Sequence, residues 1–516
     1  MVKKLTTTKK FQRTAVEDLE ECYRNLKQAE TLRISGSYDK AEMICRKLLV
    51  QHPDYYGALH TLGLVYADRG KHESAVEMLV RASIQHPRSW MTLTALAGSY
   101  LQLDAEDLAS QMLERAVALN PNNPDVQMTL GEVYSKLRDY EAMLSSFQAA
   151  YGLDPERSEA ALGIARANIE LGNHNAALNS LSTLMDQNKI SIQLLSLLTM
   201  LPRSFIPDNI HKLISEIQVG PDPLDKCAYL FIQAKAKARS KDFEQSWKFA
   251  VEANASKLEL LGKANLKKSM ETYEQRLNWL IENPNAGKKE ADLGNEKFST
   301  LFILGPSRSG KTTAEKLIGS HPDVLCGYEN STIIKAVKQT FMDAGLLSWH
   351  QMANLPYKLR KLVANNYRDM LNFDETKHAV LTNTSPGLIW DALFIGEFLP
   401  NTKFIFITRN ADDLALEIFM KDYKDGHEYS YSILETYKFI EIYHRMIELI
   451  CSRIPSRTLI VKYEDLVSDT VSCYKEMVQF AGLEMVQVNL NKIGSNVGVS
   501  EPYLANMNMA RSFGQC

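Results

Sequence analysis

The sequence predicts an α + α/β protein, with an N-terminal α-solenoid of helical hairpins followed by a three-layer α/β domain on a parallel sheet. Two observations predict it. Prolines recur at Pro53, Pro87, Pro121 and Pro155, each 34 residues after the last. Beyond residue 299, short apolar runs alternate with helical stretches, and the first run opens into a glycine-bounded loop that holds a lysine.

The repeat carries more than prolines. Small residues keep the same period at Gly63, Ala97, Gly131 and Ala165, and at Ala41, Ala75, Ala109 and Ala177, with Met143 the larger member. Tyr66, Tyr100 and Tyr134 keep step, and Gly36, Gly70 and Gly172 are placed to end the first helix of their units. Small residues let paired helices approach, tyrosines fill the space between units, and proline stops the second helix. A single hairpin cannot bury its apolar face, so such units stack. The pattern resembles the tetratricopeptide repeat (TPR) family over about 19–188, as five units. A degenerate unit is expected at 222–256, around Tyr229 to Ala236 and Trp247 to Ala250. The resemblance implies a groove for a protein or peptide; a rigid spacer or dimerisation arm is the other reading.

Composition bounds the function. With 516 residues the chain exceeds one ordinary core, and its 45% apolar and 23% charged content is that of a globular protein. A net charge of −3 gives no general pull toward nucleic acid or anionic membrane, so anion binding must be local. The seven cysteines are scattered without a C-x-x-C pair, which argues against a disulfide framework or a zinc site. The basic lead at 1–18, expected to be disordered, lacks the apolar core of a signal peptide. The stretch Ile190 to Leu201 is too short and polar to span a bilayer. A cytoplasmic protein without a metal is the expectation, and an oligomer is compatible with it.

Between the halves, residues 189–282 read as further helices and 283–298, beginning Asn283-Pro284-Asn285-Ala286-Gly287, as a polar linker. The domain from 299 to 516 then starts with the buried-strand pattern Ser299 to Leu304. Two more strands are expected at Lys403 to Thr408 and Arg457 to Tyr463. A parallel sheet places ligands at the strands' C-terminal ends. Gly305-Pro306-Ser307-Arg308-Ser309-Gly310-Lys311-Thr312-Thr313 satisfies the P-loop pattern between strand and helix. Its glycines let backbone N–H groups converge on phosphate oxygens, the helix start adds positive potential, and Arg308 and Lys311 add charge.

The loop alone suits an ATP-dependent kinase or NTPase. Its continuation does not: Ser320-His321-Pro322-Asp323-Val324 follows, then Phe404-Ile405-Phe406-Ile407-Thr408-Arg409-Asn410-Ala411-Asp412-Asp413, Tyr463-Glu464-Asp465-Leu466 and Phe480-Ala481-Gly482-Leu483. Over about 299–485 these motifs resemble the sulfotransferase family, nearest its tyrosylprotein branch; within the family, TPR arrays fused ahead of the domain are a known bacterial arrangement. The resemblance implies sulfuryl transfer from 3′-phosphoadenosine-5′-phosphosulfate (PAPS) to an acceptor hydroxyl; the repeat groove suggests a protein or peptide acceptor, with a sugar, lipid or small phenol also open. It places Gly305, Arg308, Ser309, Gly310, Lys311, Thr312 and Thr313 at the donor's 5′ end and Arg409 at its 3′-phosphate. Glu329, after His321-Pro322-Asp323-Val324-Leu325-Cys326-Gly327, falls where that branch carries its catalytic glutamate; the other reading is a helix-starting acid. Arg308 and Lys311 would balance charge on the moving group.

The pattern has departures. Lys311 stands for the usual threonine, and Glu417 for the serine that bonds the 3′-phosphate. Asp412 stands where relatives are often basic, and no lysine precedes the proline in Thr382-Asn383-Thr384-Ser385-Pro386-Gly387. A carboxylate facing a phosphate repels it unless turned away or paired. A kinase or NTPase, and a non-catalytic TPR scaffold with a decayed nucleotide site, therefore stand as alternatives. His321 is expected to cap or pack, and His427 to sit on a solvated loop.

Overall fold

The computed structural model describes residues 20–103, 105–207, 210–287, 299–344, 355–371, 373–399, 401–423, 427–486 and 488. The basic lead, most of the 283–298 linker, Lys424-Asp425-Gly426 and the tail around Gly494 lie outside the described residues. The chain divides into two compact units, Met1–Ile217 and Gln218–Cys516.

The first unit is helical: α1 (20–34), α2 (Tyr38–Gln51), α3 (Tyr56–Asp68), α4 (His72–Gln85), α5 (Trp90–Gln102), α6 (Glu106–Leu119), α7 (Pro124–Leu137), α8 (Tyr140–Leu153), α9 (Ser158–Glu170) and α10 (His174–Asp186), then the short α11 (Ile192–Leu198) and α12 (Ile210–Glu216). Helices α2, α4, α6 and α8 each stop two residues before a repeat proline. Ala41, Ala75, Ala109 and Ala177 are fully buried, and a Cβ on Gly63 or Gly131 would strike Leu79 or the Phe147 ring. Close helix approach is what the small positions provide. The tyrosines join successive units as expected: the Tyr66 hydroxyl donates to Glu42 (3.1 Å) and Tyr134 to Glu114 (2.7 Å).

The second unit opens with the hairpin α13 (Pro223–Arg239) and α14 (Phe243–Leu261), then α15 (Lys263–Glu282). Its sheet has strands β1 (Ser299–Leu304), β2 (Val324–Leu325), β3 (Val380–Asn383), β4 (Lys403–Thr408) and β5 (Thr458–Lys462) in the order β2-β3-β1-β4-β5, all parallel. The helices are α16 (Lys311–Ile318), α17 (Thr332–Ala344), α18 (Tyr357–Met370), α19 (Ala392–Phe398), α20 (Ala411–Phe419), α21 (Ile433–Arg453), α22 (Tyr463–Ser468) and α23 (Thr470–Ala481). Strands β2 and β3 escape the sequence pattern because two and four residues are too few to show a period.

Strand alternation makes the three layers. Leu301, Ile303, Ile405 and Ile407 pack with Ala314, Leu317, Met477 and Val478 of α16 and α23. Phe302, Leu304, Phe404 and Phe406 point the other way, into a larger core with Phe394, Tyr443 and Ile447. That core also takes Leu266, Met270, Leu277 and Leu280 of α15, so the helix before the expected linker is part of the sheet's own packing. β1 lies centrally, which brings the loop after it beside the ends of β3 and β4.

Among the described residues no helix is long and apolar enough to cross a membrane, and no cluster of His, Cys, Asp and Glu could hold a metal.

Candidate functional site

The site is built on the strand–loop–helix turn. Gly305 passes so close to the Ile407 carbonyl and to Ser309 that a Cβ there would collide with both. Arg308 (φ 70°) and Gly310 (φ 103°) adopt left-handed backbone, the two bends that carry the chain from β1 into α16. At Gly310 a side chain would also strike the Tyr463 ring. Ser309 is fully buried and its hydroxyl has no hydrogen-bond partner among the described residues. An orphaned buried hydroxyl inside a phosphate-type loop is chemistry that an anionic oxygen would complete. Lys311 is only 5% exposed and its Nζ donates to the Pro306 carbonyl at 3.0 Å, spanning the loop. Thr312 is exposed and Thr313 half-buried in the first turn of α16.

Arg409, immediately after β4, reaches the same loop. Its Nη1 donates to the Arg308 carbonyl at 2.9 Å, and its guanidinium lies 4.5 Å over the Tyr463 ring. Glu417 on α20 stands between the two arginines. One oxygen accepts from Arg308 Nε (3.3 Å) and Nη2 (3.0 Å), and the other lies 3.7 Å from Arg409 Nη2. The carboxylate therefore does not face the loop unpaired. The Asn410 side chain caps α20 through Asp412 N (3.0 Å) and Asp413 N (3.2 Å), while Glu464 accepts the Asn410 N–H at 2.8 Å. The Tyr463-Glu464 pair thus fixes both Arg409 and the start of α20. Asp412, for its part, accepts a bond from the Tyr437 hydroxyl.

Glu329 lies on the exposed segment between β2 and α17. The α17 cap is made by Asn330, whose Oδ1 accepts the Thr332 N–H at 2.8 Å, so the helix start does not require Glu329. Its neighbours are held hard. Tyr328 takes left-handed backbone (φ 51°), its N–H donates to Glu315 (2.9 Å), and its carbonyl accepts from Thr384 N (2.8 Å). Glu315 is fully buried on α16 and also accepts from the Thr382 hydroxyl, which in turn accepts the Gly327 N–H. In the sequence alone Glu315 reads as an ordinary helical residue. Its signal is weak: a carboxylate on the face that i, i+3 and i+4 spacing sends inward with Lys311 and Ile318.

Other site residues were also hidden. His427 is not on a solvated loop: it stacks on Tyr423 (4.3 Å between ring centres) and shares a hydrogen bond with Ser307 at 3.0 Å. Burial pushes the Tyr423 phenol up to about 12, with Arg308 opposing and Glu417 and Glu329 adding to the rise. Lys235, from the expected degenerate unit, is drawn down to about 8, first by burial and then by the neighbouring cations Lys421, Arg239 and Arg308. His321 packs as expected, fully enclosed, with Nε2 on the Glu484 carbonyl at 2.8 Å. The structure therefore brings Arg308, Ser309, Gly310, Lys311 and Arg409 together and adds Glu417, Tyr463, Ser307 and His427.

Comparison with known proteins agrees with both halves. Residues 300–487 match the sulfotransferase family, and 34–158 match the N-terminal TPR repeats region of Psidin. A protein-tyrosine sulfotransferase of Drosophila melanogaster is 23% identical over 203 residues, 36% of this chain and 38% of that protein. An uncharacterized protein of Aquifex aeolicus (strain VF5) is 20% identical over 264 residues, 49% of this chain and 34% of that one. The chain thus spans little more than a third of the length of either curated relative. Among solved structures, MamA is 23% identical with a TM-score of 0.30 over 31% of this chain and 94% of its own. YrrB, a TPR protein with an unusual peptide-binding site, is 22% identical with a TM-score of 0.32 over 36% of this chain and 95% of its own. Residues 34–158 thus match a tetratricopeptide-repeat region and residues 300–487 a sulfotransferase-family domain.

Proposed function

We propose that the protein transfers a sulfuryl group from PAPS to the hydroxyl of an acceptor protein or peptide recruited by the repeats. The observation that carries this reading is the loop, where a buried Ser309 hydroxyl, without a hydrogen-bond partner among the described residues, sits between Arg308 and Lys311 and Arg409 bonds the Arg308 carbonyl. The residues present fit the 5′ end of such a donor, which when bound supplies an activated sulfuryl group. Loop N–H groups, Ser309, Lys311 and Thr312 hold and orient that end, and Arg308 and Lys311 balance its charge. Glu329, exposed on a fixed turn, accepts the proton of the acceptor hydroxyl, a contribution of about 10²–10⁴-fold for a positioned base. The cytoplasm is the proposed location and 299–516 the proposed catalytic domain.

Lys311 supports a second reading, an ATP-dependent kinase or NTPase, because a P-loop lysine serves β- and γ-phosphates. Against it, β4 is followed directly by Arg409 where that chemistry wants a magnesium-binding carboxylate. Calorimetry with adenosine 3′,5′-bisphosphate and with ADP–Mg²⁺ separates the two. Tighter binding of the bisphosphate is expected; a preference for ADP–Mg²⁺ overturns the sulfotransferase reading, and binding of neither favours a scaffold.

A further inference from the structure

Glu417 is an acid placed where the donor reading puts a phosphate. Its two oxygens divide between Arg308 (3.0 Å) and Arg409 (3.7 Å), so each guanidinium already has an anion beside it. The Glu417 side chain is 11% exposed and that of Arg409 5%, which shields this pair from solvent and strengthens its attraction, while the Arg308 side chain is 46% exposed. Nor can the carboxylate leave by a movement of its helix. The N-terminal end of α20 is held by the Asn410 cap and Glu464. At its C-terminal end, Asn254 Nδ2 of α14 donates to the Phe419 carbonyl at 2.9 Å, and Trp247 packs on the Phe419 ring. Just beyond, Lys257 bonds Asp422 and the Tyr423 carbonyl. Only a side-chain rotation can release Arg409, and that rotation gives up both pairings.

We propose that Glu417 is a built-in counter-anion that sets nucleotide specificity: it competes with a 3′-phosphate for Arg409, so the site grips its nucleotide through the 5′ end and gains little from a second phosphate. This rests on the donor reading above. An anion approaching Arg409 must displace a carboxylate or sit beside it, and either course weakens a contact that would otherwise favour the 3′-phosphate. Contacts at the 5′ end through Ser309, Lys311 and the loop backbone do not involve Glu417, and its pairing with Arg308 bears equally on any nucleotide held by that end.

The test is calorimetry on the full chain with adenosine 3′,5′-bisphosphate and adenosine 5′-monophosphate, for the parent, Glu417→Gln and Glu417→Ser. In the parent the two nucleotides are expected to bind within about tenfold of each other, and Glu417→Ser to widen the gap by about tenfold or more, beyond any gain that release of Arg308 gives to both. Glu417→Gln, which keeps the shape and loses the charge, moves in the same direction. A gap of about a hundredfold or more in the parent, or one that neither substitution changes, overturns the inference and leaves the donor reading standing. Binding of neither nucleotide overturns both. Thermal melts of the variants establish that each is folded.

Discussion

Lys311 decides between chemistries by what it touches. Its ammonium is folded across the loop onto the Pro306 carbonyl, so part of its role here is to brace the turn. Lys311→Thr, which restores the residue usual in the sulfotransferase family, keeps the loop backbone, the Ser309 hydroxyl and a hydroxyl donor. Bisphosphate binding is then expected to fall by about 1–2 kcal/mol, the scale of one charge-assisted bond, and calorimetry reads it. A kinase or NTPase would lose far more, so a drop beyond a hundredfold would count against the sulfuryl-transfer reading. The loop residues were legible because they are contiguous, whereas the Arg308–Glu417 pair was not, its members being 109 positions apart. Glu315 was hidden for a related reason: its partners Tyr328 and Thr382 come from other elements.

Among the elements, α3 carries a group with a defined pH response. His60 faces the Thr92 hydroxyl at 3.1 Å, and burial, assisted by Arg33, pushes its imidazole down to about 4 from 6.5. The unfolded chain therefore binds a proton on cooling the pH through 6.5 that the folded repeat refuses until about 4. Stability from this group is complete above about 6.5 and is lost as pH falls toward about 4, by an amount on the order of 1–3 kcal/mol. Urea titrations of the parent and His60→Gln across that range should converge as the pH falls; parallel curves would assign the acid response elsewhere. The repeat helices themselves were legible down to their ends, since proline, glycine and alanine act locally. What the period could not reveal is that the degenerate hairpin α13–α14 packs on α20 and so backs the helix that carries Glu417.

For the whole molecule, the place where the chain is cut matters. The composition break at 283–298 invites a truncation at 299, but α15 lies before it and buries Leu266, Met270, Leu277 and Leu280 in the core of the sheet. Arg276 pairs with Asp391, and Arg453 caps the end of α15 through the Leu280 and Ala286 carbonyls. Removing four such side chains forfeits about 6–12 kcal/mol at about 1.5–3 kcal/mol each, comparable with the total stability of a domain. A fragment 299–516 is therefore expected to lack a cooperative thermal transition, and a fragment 218–516 to show one. Equal melting of the two would remove α15 from the domain's required core.

By itself, the sequence determined what local chemistry can specify: a 34-residue helical period, three of five strands, the phosphate-type loop and the motifs shared with sulfotransferases. These follow from backbone preferences and from residues adjacent in the chain. Only the tertiary structure decided which distant charges meet: Glu417 between Arg308 and Arg409, Glu315 beneath Tyr328, and His427 against Ser307. The reason is physical. Pairing across a hundred residues depends on strand order and helix packing, and a carboxylate that would repel a phosphate on its own becomes a specificity element once two guanidiniums share it.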